Sequence, residues 1–374
     1  MIPFNRPALL GNELAYVEEA FARMQVSGDG HFCRKVESLL AEALAVPKVL
    51  LTTSCTHALE MGALLLDLEP GDEVIVPSFT FVSTINAFVL RGAKPVFADI
   101  RGDTLNIDEL QVEKLVTDRT RAILPVHYAG VGCEMDALDD IAERHDLTII
   151  EDNAHGLFGA WRGRQLGTFG ALATQSFHET KNFTCGEGGA LVISDERLVE
   201  RAEILREKGT NRSRFFRGKV DKYTWVDVGS SYVLSDILGA VLLAQLERRD
   251  QIQEKRRAIW KRYETELAGW AERVGARLPI VPAHCEQAWH LFYLLLPNLE
   301  KRTAFIAHLG ARDVKAAFHY VPLHRSPMGS RLGGEGAKCP VTEDVSDRLV
   351  RLPLYTQLTE EEQGKVIEAV LSFG

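Results

Sequence analysis

A lysine, a carboxylate and a hydroxyl-rich segment each follow a short apolar stretch of this chain. Lys181 comes five residues after Ser176, Asp152 ends the stretch LTIIED, and Thr56 lies in TTSCTH, which leads directly into the helical pattern ALEMGALLL. Taken singly, each has an ordinary explanation, because a lysine in a turn is usually solvated and Ser, Thr and Asp commonly cap helices. Taken together, they supply an amine, an anion and a set of free backbone N–H groups.

That combination suits pyridoxal phosphate as a cofactor. The Lys181 amine would form a Schiff base with the cofactor's aldehyde. The Asp152 carboxylate would pair with the pyridinium nitrogen and keep the ring protonated as an electron sink. The helix start near Thr56 and the Ser176 hydroxyl would hold the phosphate, because a helix N-terminus is a natural anion site.

Competing cofactor and metal motifs are incomplete. The segment GDGHFC at 28–33 lacks the third glycine of a dinucleotide-binding fingerprint, and GGEGAK at 333–338 is followed by Cys339 instead of the Ser or Thr of a P-loop. There is no H-E-x-x-H segment, and the C-terminal histidines have none of the regular spacing of a metal site; they are His284, His290, His319 and His324. We therefore predict no metal.

Seven short apolar segments predict the strands that would position these groups. They are continuous apolar runs, as is typical of strands buried on both faces of a parallel sheet, and they cover 48–54, 72–78, 94–100, 121–127, 147–152, 172–177 and 189–195. Helical patterns lie between them at 56–67, 82–91, 109–116 and 136–145, with another at 197–208. The alternation predicts an α/β doubly wound sheet, in which ligands bind at the carboxyl ends of the strands. The link after Ser176 is too short for a helical crossover, so the last two strands are predicted to be antiparallel.

The C-terminal third has a different pattern. A long helical stretch begins near residue 230, and it is followed by predicted strands at 277–282, 289–297 and 314–323 and predicted helices at 299–309 and 359–371. We predict a large cofactor-binding domain over residues 1–250 and a smaller α+β domain over residues 251–374. The first few residues of the chain can also join the smaller domain.

Composition narrows the class of protein. The chain has 374 residues and a formal net charge of −9, which argues against nucleic acid or an acidic membrane surface as a partner. Its six cysteines form no C-x-x-C pair and are too few for a disulfide framework. The N-terminal segment does not read as a signal peptide, and no apolar run is long enough to span a membrane. We expect a cytoplasmic enzyme.

The chain resembles the nucleotide-sugar aminotransferases of the DegT/DnrJ type over essentially its whole length. The resemblance is carried by the segments GDEVIVPSFTFVSTINAFVLRGAKPVFADI, LPVHYAG, IIEDNAHG and SFHETKNFTCGEGGALV, which occur in that order. It implies the aspartate-aminotransferase fold, called fold type I of the pyridoxal-phosphate-dependent transferases. That fold has a seven-stranded, mostly parallel sheet, a smaller C-terminal domain and a homodimer whose active sites lie at the interface.

The resemblance also implies roles for individual residues. Lys181 matches the Schiff-base lysine and Asp152 the partner of the pyridinium nitrogen. Thr56 and His57 match the phosphate-binding amides, and Ser176 matches the phosphate-binding hydroxyl. Phe81 matches a ring stacked on the cofactor, and His155 matches the group beside its phenolic oxygen. Two segments depart from the family: Cys55-Thr56-His57 is bulkier than the usual Gly-Thr-Ala, and Ser231 stands where an Asn often reaches the neighbouring subunit's phosphate.

The substrate side is implied by longer segments. The run REKGTNRSRFFRGKVDKYTWVDVGSSYVLSD, with VHYAGVGCEMD and FHYVPLH, is similar to family members that aminate dTDP-4-keto-6-deoxyglucose for cell-surface polysaccharides. Residues 206–222 hold seven basic and two acidic side chains, so Arg212 and Arg214 are candidates to bind the substrate's diphosphate, with a solvated loop as the alternative. His324, in the Pro-Leu-His pattern, is a further candidate for the sugar nucleotide.

The resemblance implies transfer of an amino group from L-glutamate to a keto sugar nucleotide, with pyridoxamine phosphate as the intermediate form of the cofactor. Three alternatives stay open. One is an aminotransferase that acts on another sugar or another position. The second is a sugar dehydratase of the same family, which Lys181 disfavours because those relatives typically carry His there. The third is a catalytically silent regulator.

Overall fold

The computed structural model describes all 374 residues. Its twelve β-strands are β1 (Lys48–Thr52), β2 (Glu73–Pro77), β3 (Lys94–Ala98), β4 (Thr120–Ile123), β5 (Thr148–Asp152), β6 (Ala160–Trp161), β7 (Arg164–Gln165), β8 (Leu172–Ser176), β9 (Gly189–Ile193), β10 (Cys285–Glu286), β11 (Phe292–Leu295) and β12 (Leu349–Leu352). Its fourteen α-helices are α1 (Glu13–Ala22), α2 (His31–Leu44), α3 (Cys55–Leu65), α4 (Ser83–Val89), α5 (Glu109–Leu115), α6 (Met135–His145), α7 (Val199–Arg206), α8 (Arg212–Phe216), α9 (Asp236–Leu246), α10 (Arg249–Val274), α11 (Leu299–Gly310), α12 (Pro327–Arg331), α13 (Pro340–Arg348) and α14 (Glu360–Leu371).

The central element is a seven-stranded sheet with the order β1-β9-β8-β5-β4-β2-β3. Every pair in it is parallel except the two pairs made by β9, which runs antiparallel to both β1 and β8. All seven predicted strand segments form this sheet, and the predicted antiparallel pairing of the last two is confirmed. The sheet agrees with the expected aspartate-aminotransferase fold.

Helices cover both faces of the sheet, which explains the continuous apolar runs. Leu50 packs into a cluster with residues of α3, while its neighbour Leu51 packs into a second cluster with residues of α2 and α9. On the far half of the sheet, Ile75 lies in a third cluster with residues of α5 and α6. Since successive strand residues point to opposite faces, both faces must be apolar in a three-layer arrangement.

The C-terminal part forms a separate apolar cluster. It joins α10, α11 and α14 to the antiparallel pair of β11 and β12, and Ile2 packs into it from the start of the chain. The prediction of strands at 277–282 and 314–323 was wrong: these segments make only single β-bridges, at Arg277, Val314 and Ala317. Strand β12 was not predicted. The division of the chain at residue 250 stays a prediction.

The cysteines form no disulfide bond. All six cysteines are free, and five of them are buried. None of the helices is long and apolar enough to cross a membrane.

Candidate active site

A cavity of about 400 Å³ lies at the carboxyl ends of the parallel strands. Its walls include Asp152 at the end of β5, Ser176 at the end of β8 and Phe81 beyond the end of β2. The C-terminal cluster closes it from the other side through Leu352 of β12. Both the volume and the position at the strand ends are typical of a small-molecule site.

Lys181 lies in the turn that connects β8 to β9, and its side chain lines the cavity. Its backbone N–H donates to the carbonyl of His178 at 2.9 Å, which fixes the turn, while its amine makes no ion pair. Burial lowers the pKa of Lys181 to about 8, against the opposing effects of Cys55 and Asp152. A substantial fraction of the amine is therefore neutral near pH 8, as a nucleophile or base requires.

Asp152 is held at the floor of the cavity by two hydrogen bonds. One carboxylate oxygen accepts from the Thr84 hydroxyl at 2.8 Å, and the other accepts from the Ala154 N–H at 3.1 Å. The Thr84 hydroxyl in turn lies 2.8 Å from that of Thr80. Asp152 is 6% exposed and has no cationic partner in an ion pair. A buried carboxylate of this kind is suited to pairing with a cation that arrives with a ligand.

The start of α3 combines a cap with open N–H groups. The Ser54 hydroxyl caps the helix by accepting from the His57 N–H at 3.1 Å, while the N–H groups of Cys55 and Thr56 have no acceptor. Gly189 lies against this turn so closely that a Cβ there would be 2.3 Å from the Cys55 nitrogen. Thr56 lines the cavity, but His57 does not; its ring contacts the Thr53 hydroxyl instead. The site thus offers two open N–H groups next to the cavity.

Two predicted cofactor contacts also lie in the cavity wall. The Ser176 hydroxyl has no hydrogen-bond partner in the chain, so it is available to a phosphate. The Phe81 ring is 58% exposed, and its centroid lies 6.5 Å from that of Tyr320. One face of the ring is therefore available for stacking.

Three histidines line one wall. The His155 ring stacks on that of His290 with 4.3 Å between centroids, and His319 stacks on Tyr320 with 3.8 Å between centroids. Burial lowers the pKa of all three histidines well below the ordinary range, and the nearby Lys181 and Arg351 charges lower each of them further. These rings are therefore neutral at pH 7, and the buried Nδ1 of His155 has no partner.

Arg351 is a cavity residue that sequence reasoning missed. It lies in β12, and its guanidinium packs 4.5 Å from the ring centroid of Phe4, another lining residue from the start of the chain. Thr84 and Thr80 were missed as well. No local motif marks Arg351, since a single arginine in a short strand reads as a surface residue; only the antiparallel pairing of β12 with β11 turns it inward.

Three predicted substrate or phosphate contacts, Ser231, Arg212 and Arg214, lie outside the cavity of their own chain. Ser231 is exposed and forms a bridge with Glu207. Arg212 and Arg214 lie in α8 and pair with Glu207 and Glu200 at 3.5 and 3.1 Å.

The interpretation of His324 as a cavity residue needs correction. Its Nδ1 lies 2.6 Å from the Ser78 hydroxyl and its Nε2 lies 2.9 Å from Glu343, which leaves the ring fully buried between elements. His319, five residues earlier, is the histidine of this segment that lines the cavity.

The residues present fit pyridoxal phosphate. The open N–H groups at the start of α3 and the free Ser176 hydroxyl suit its phosphate, and Asp152 suits its ring nitrogen. Lys181 offers an unpaired amine for its aldehyde, and the unpartnered Nδ1 of His155 offers a hydrogen bond to a polar group on the ring. No group of three or more metal-ligating side chains is present to favour a metal centre instead.

Comparison with known proteins shows the family of the chain. The model of the DegT/DnrJ/EryC1/StrS aminotransferase family matches residues 8–371. The spore coat polysaccharide biosynthesis protein SpsC of Bacillus subtilis is 32% identical over 377 residues, which cover 99% of this chain and 96% of that protein.

Solved structures extend the similarity to the fold. The aminotransferase TlmJ of Streptoalloteichus hindustanus superimposes with a TM-score of 0.91 at 30% identity, over 100% of this chain and 98% of the other. The PLP form of Spr1654 from Streptococcus pneumoniae, a protein assigned as a sugar aminotransferase, gives a TM-score of 0.91 at 27% identity, again over 100% and 98%.

The fold and the site together define a pyridoxal-phosphate-dependent aminotransferase. The chain belongs to the DegT/DnrJ/EryC1/StrS aminotransferase family.

Proposed function

We propose that this enzyme transfers the amino group of L-glutamate to C4 of dTDP-4-keto-6-deoxyglucose. The products are dTDP-4-amino-4,6-dideoxygalactose and 2-oxoglutarate, and the amino sugar serves cell-surface polysaccharide synthesis in the cytoplasm. The observation that carries the transfer chemistry is the meeting of Lys181, Asp152 and the open start of α3 in one cavity. The likeness to a polysaccharide biosynthesis protein over nearly the whole chain supports a sugar acceptor.

Each residue has a defined task in this proposal. When bound, pyridoxal phosphate supplies a carbonyl that takes up the amino group and a ring that delocalises negative charge from the donor's α-carbon. The Lys181 amine would hold the bound cofactor and would then, as a free base, take the proton from the α-carbon of glutamate. Its lowered pKa keeps this amine partly neutral, so it can accept the proton.

The other residues orient and stabilise. Asp152 holds a proton on the ring nitrogen, and Thr84 fixes the carboxylate that does so. The Thr56 N–H and the Ser176 hydroxyl bind the phosphate, and Phe81 stacks on the ring. His155, neutral because burial lowers its pKa, stabilises the phenolic oxygen of the ring. The keto sugar then enters the same cavity and the proton movements run in reverse.

We further propose that the working unit is a homodimer. Ser231 is exposed and lies outside its own cavity, which leaves it available to the phosphate of the neighbouring subunit. His57, whose N–H is used by the Ser54 cap, would then contribute to the phosphate site only through the shape of the turn. A single species at twice the chain mass in light scattering supports this arrangement; a monomer that is fully active contradicts it.

The segment around α8 is the proposed site for the diphosphate of the sugar nucleotide. Arg212 and Arg214 are about half exposed, and Arg214 pairs with the exposed Glu200, so it can exchange this partner for a phosphate at little cost. Arg212 pairs with the buried Glu207, which keeps Lys208 as a second partner at 3.2 Å when Arg212 turns to a phosphate. Neutralising both should raise the KM for the sugar nucleotide and leave the glutamate half-reaction unchanged. Equal loss in both half-reactions would contradict the assignment.

The substrate is tested by product identification. The holoenzyme is incubated with L-glutamate and a panel of 4-keto and 3-keto sugar nucleotides, and the aminated product is identified by mass spectrometry and NMR. The proposal predicts amination at C4 of the dTDP-linked 6-deoxy sugar in the galacto configuration. Amination at C3, or amination only of a sugar carried by another nucleotide, would contradict this substrate. It would favour the alternative, an aminotransferase that acts on another sugar or another position. A failure to release 2-oxoglutarate from glutamate would favour a silent regulator.

A further inference from the structure

The guanidinium of Arg351 has no anionic or hydrogen-bonding partner in the protein. Two other arginines are more deeply buried than Arg351, but the guanidinium groups of both have partners. Arg206 pairs with Glu37 and Asp29 at 2.6 Å each, and Arg256 donates to the carbonyls of Trp289, His290 and Leu354. The Arg351 side chain makes no hydrogen bond at all, and its Nε is fully buried without an acceptor.

The surroundings of Arg351 do not compensate its charge. Phe4 packs on the guanidinium, and burial lowers the pKa of Arg351, with only the rings of Tyr128 and Tyr320 opposing that effect. The cavity contains two carboxylates, but Asp152 is engaged by Thr84 and Ala154, and Glu187 is exposed. Arg351 is only partly exposed and its Nε is fully buried, and a cation with this little solvent and no partner is costly, so its retention points to an anion that arrives with a ligand.

We propose that Arg351 binds the α-carboxylate of the amino donor. This inference rests on the proposed function, since it assigns the residue to the glutamate half-reaction. A planar guanidinium with its donors free matches a carboxylate in a two-point hydrogen bond. Arg351 and Lys181 line the same cavity, so the guanidinium faces the space in which the donor's α-carbon must be held. Its charge also lowers the pKa of the Lys181 amine.

The position favours this carboxylate over the other anions that enter the cavity. The α-carboxylate is attached to the reacting carbon itself, whereas the γ-carboxylate lies farther along the donor. The diphosphate of a sugar nucleotide lies across the sugar ring from C4, and its bulky nucleoside must extend toward solvent. Arg351 is instead covered by Phe4, whose neighbour Asn5 donates to the carbonyl of Glu179 at 3.0 Å and so closes this side of the cavity.

The test uses Arg351→Met, which keeps the length of the side chain and removes its charge. In the holoenzyme, α-methyl-L-glutamate is titrated by the cofactor's absorbance, because this analogue binds but has no α-proton to lose. We expect at least a 30-fold weaker apparent Kd. Arg351→Lys should recover part of the affinity. Arg312→Met, which removes an exposed arginine that contacts only His308, is the matched control and should bind as the wild type does.

Donor analogues and the second half-reaction identify which anion is bound. Wild-type enzyme should prefer L-glutamate to its α-amide, and this preference should collapse in Arg351→Met, while the reaction of the pyridoxamine form with the keto sugar stays within about threefold of wild type. The variant should also be at least as stable to heat as the wild type, because removing an unpaired, partly buried charge relieves a desolvation cost.

Several results would overturn the inference. Collapse of the preference for L-glutamate over L-glutamine alone would assign Arg351 to the γ-carboxylate. Loss confined to the keto-sugar half-reaction would assign it to the diphosphate, and equal loss in both, or no loss, would leave it without a donor role. Wild-type enzyme that never converts glutamate to 2-oxoglutarate would instead refute the proposed function, before any variant is compared.

Discussion

Replacing Asp152 with Asn removes one negative charge from the cavity with almost no change in shape. The fold should tolerate Asp152→Asn. The amide oxygen can accept from the Ala154 N–H, and the Thr84 hydroxyl can turn to accept from the new NH2 group while it donates to Thr80. We therefore expect the free energy of unfolding of the apoenzyme to change by less than about 1 kcal/mol.

The catalytic cost should be far larger than the cost in stability. Two unit charges in hydrogen-bond contact, about 3 Å apart, attract each other by about 5 kcal/mol at an effective dielectric constant of 20. Asp152 is 6% exposed, so solvent does little to screen this attraction. If the carboxylate keeps the ring nitrogen protonated, a loss of about 3–5 kcal/mol from the barrier of the glutamate half-reaction corresponds to about a 10²- to 10⁴-fold slower rate.

The assay is a single-turnover reaction of the holoenzyme with L-glutamate, followed by stopped-flow absorbance of the cofactor, with bound cofactor quantified in parallel. Thr84→Ser keeps the hydroxyl that donates to Asp152, so it serves as the conservative control and should react within a few-fold of wild type. A rate for Asp152→Asn within about threefold of wild type, with the cofactor fully bound, would refute the role assigned to Asp152.

Three further predictions test other parts of the account. Gly189→Ala should weaken cofactor binding at least tenfold, because the added Cβ would lie 2.3 Å from the Cys55 nitrogen at the start of α3. The control Gly269→Ala, whose added Cβ meets no atom within 4 Å, should bind the cofactor normally. Equal affinities of the two variants in a fluorescence titration would contradict the phosphate site at the start of α3. Since the pKa of Lys181 is lowered to about 8, the amine is protonated below that pH and neutral above it. The rate at which the apoenzyme captures pyridoxal phosphate should therefore rise with pH through about 8 and then level off, and a midpoint near 10.5 would show an unperturbed lysine. Arg206→Met should destabilise the protein by about 3–5 kcal/mol in urea unfolding, because it strands the buried Glu37 that Arg206 now pairs at 2.6 Å; a change under 1 kcal/mol would show that this pair contributes little.

The sheet could be predicted because its signals are local. Continuous apolar runs such as KVLLT and LTIIE are short enough to be strands and too apolar to have a solvent face, so they fix both the number of strands and the layers around them. The Gly-rich link between Ser176 and Gly189 is too short for a helical crossover, which predicts β9 as antiparallel to β8, as observed. The C-terminal strands were harder to predict, because 314–323 is extended but makes only single bridges, and β12 contains an arginine in a four-residue run.

The site could be predicted best where a residue lies within a few positions of the end of a strand. Asp152, Ser176 and Lys181 are positioned by the ends of β5 and β8, so reading the strand ends brings them together. Arg351 and Phe4 reach the same cavity through contacts between distant parts of the chain, for which the local sequence carries no signal. The choice between His319 and His324 depends on which side chain turns inward after a bridge at Ala317, and that is a property of the packing.

The central claim is that this cavity holds pyridoxal phosphate through Lys181. The most direct test is to treat the holoenzyme with borohydride, which makes a bond between a lysine and the cofactor permanent, and then to digest it and locate the added mass by peptide mass spectrometry. The account predicts the pyridoxyl mass on the peptide that contains Lys181, and no labelling in Lys181→Ala. Stoichiometric labelling of a different lysine, or none in an enzyme that still transfers amino groups, would contradict it.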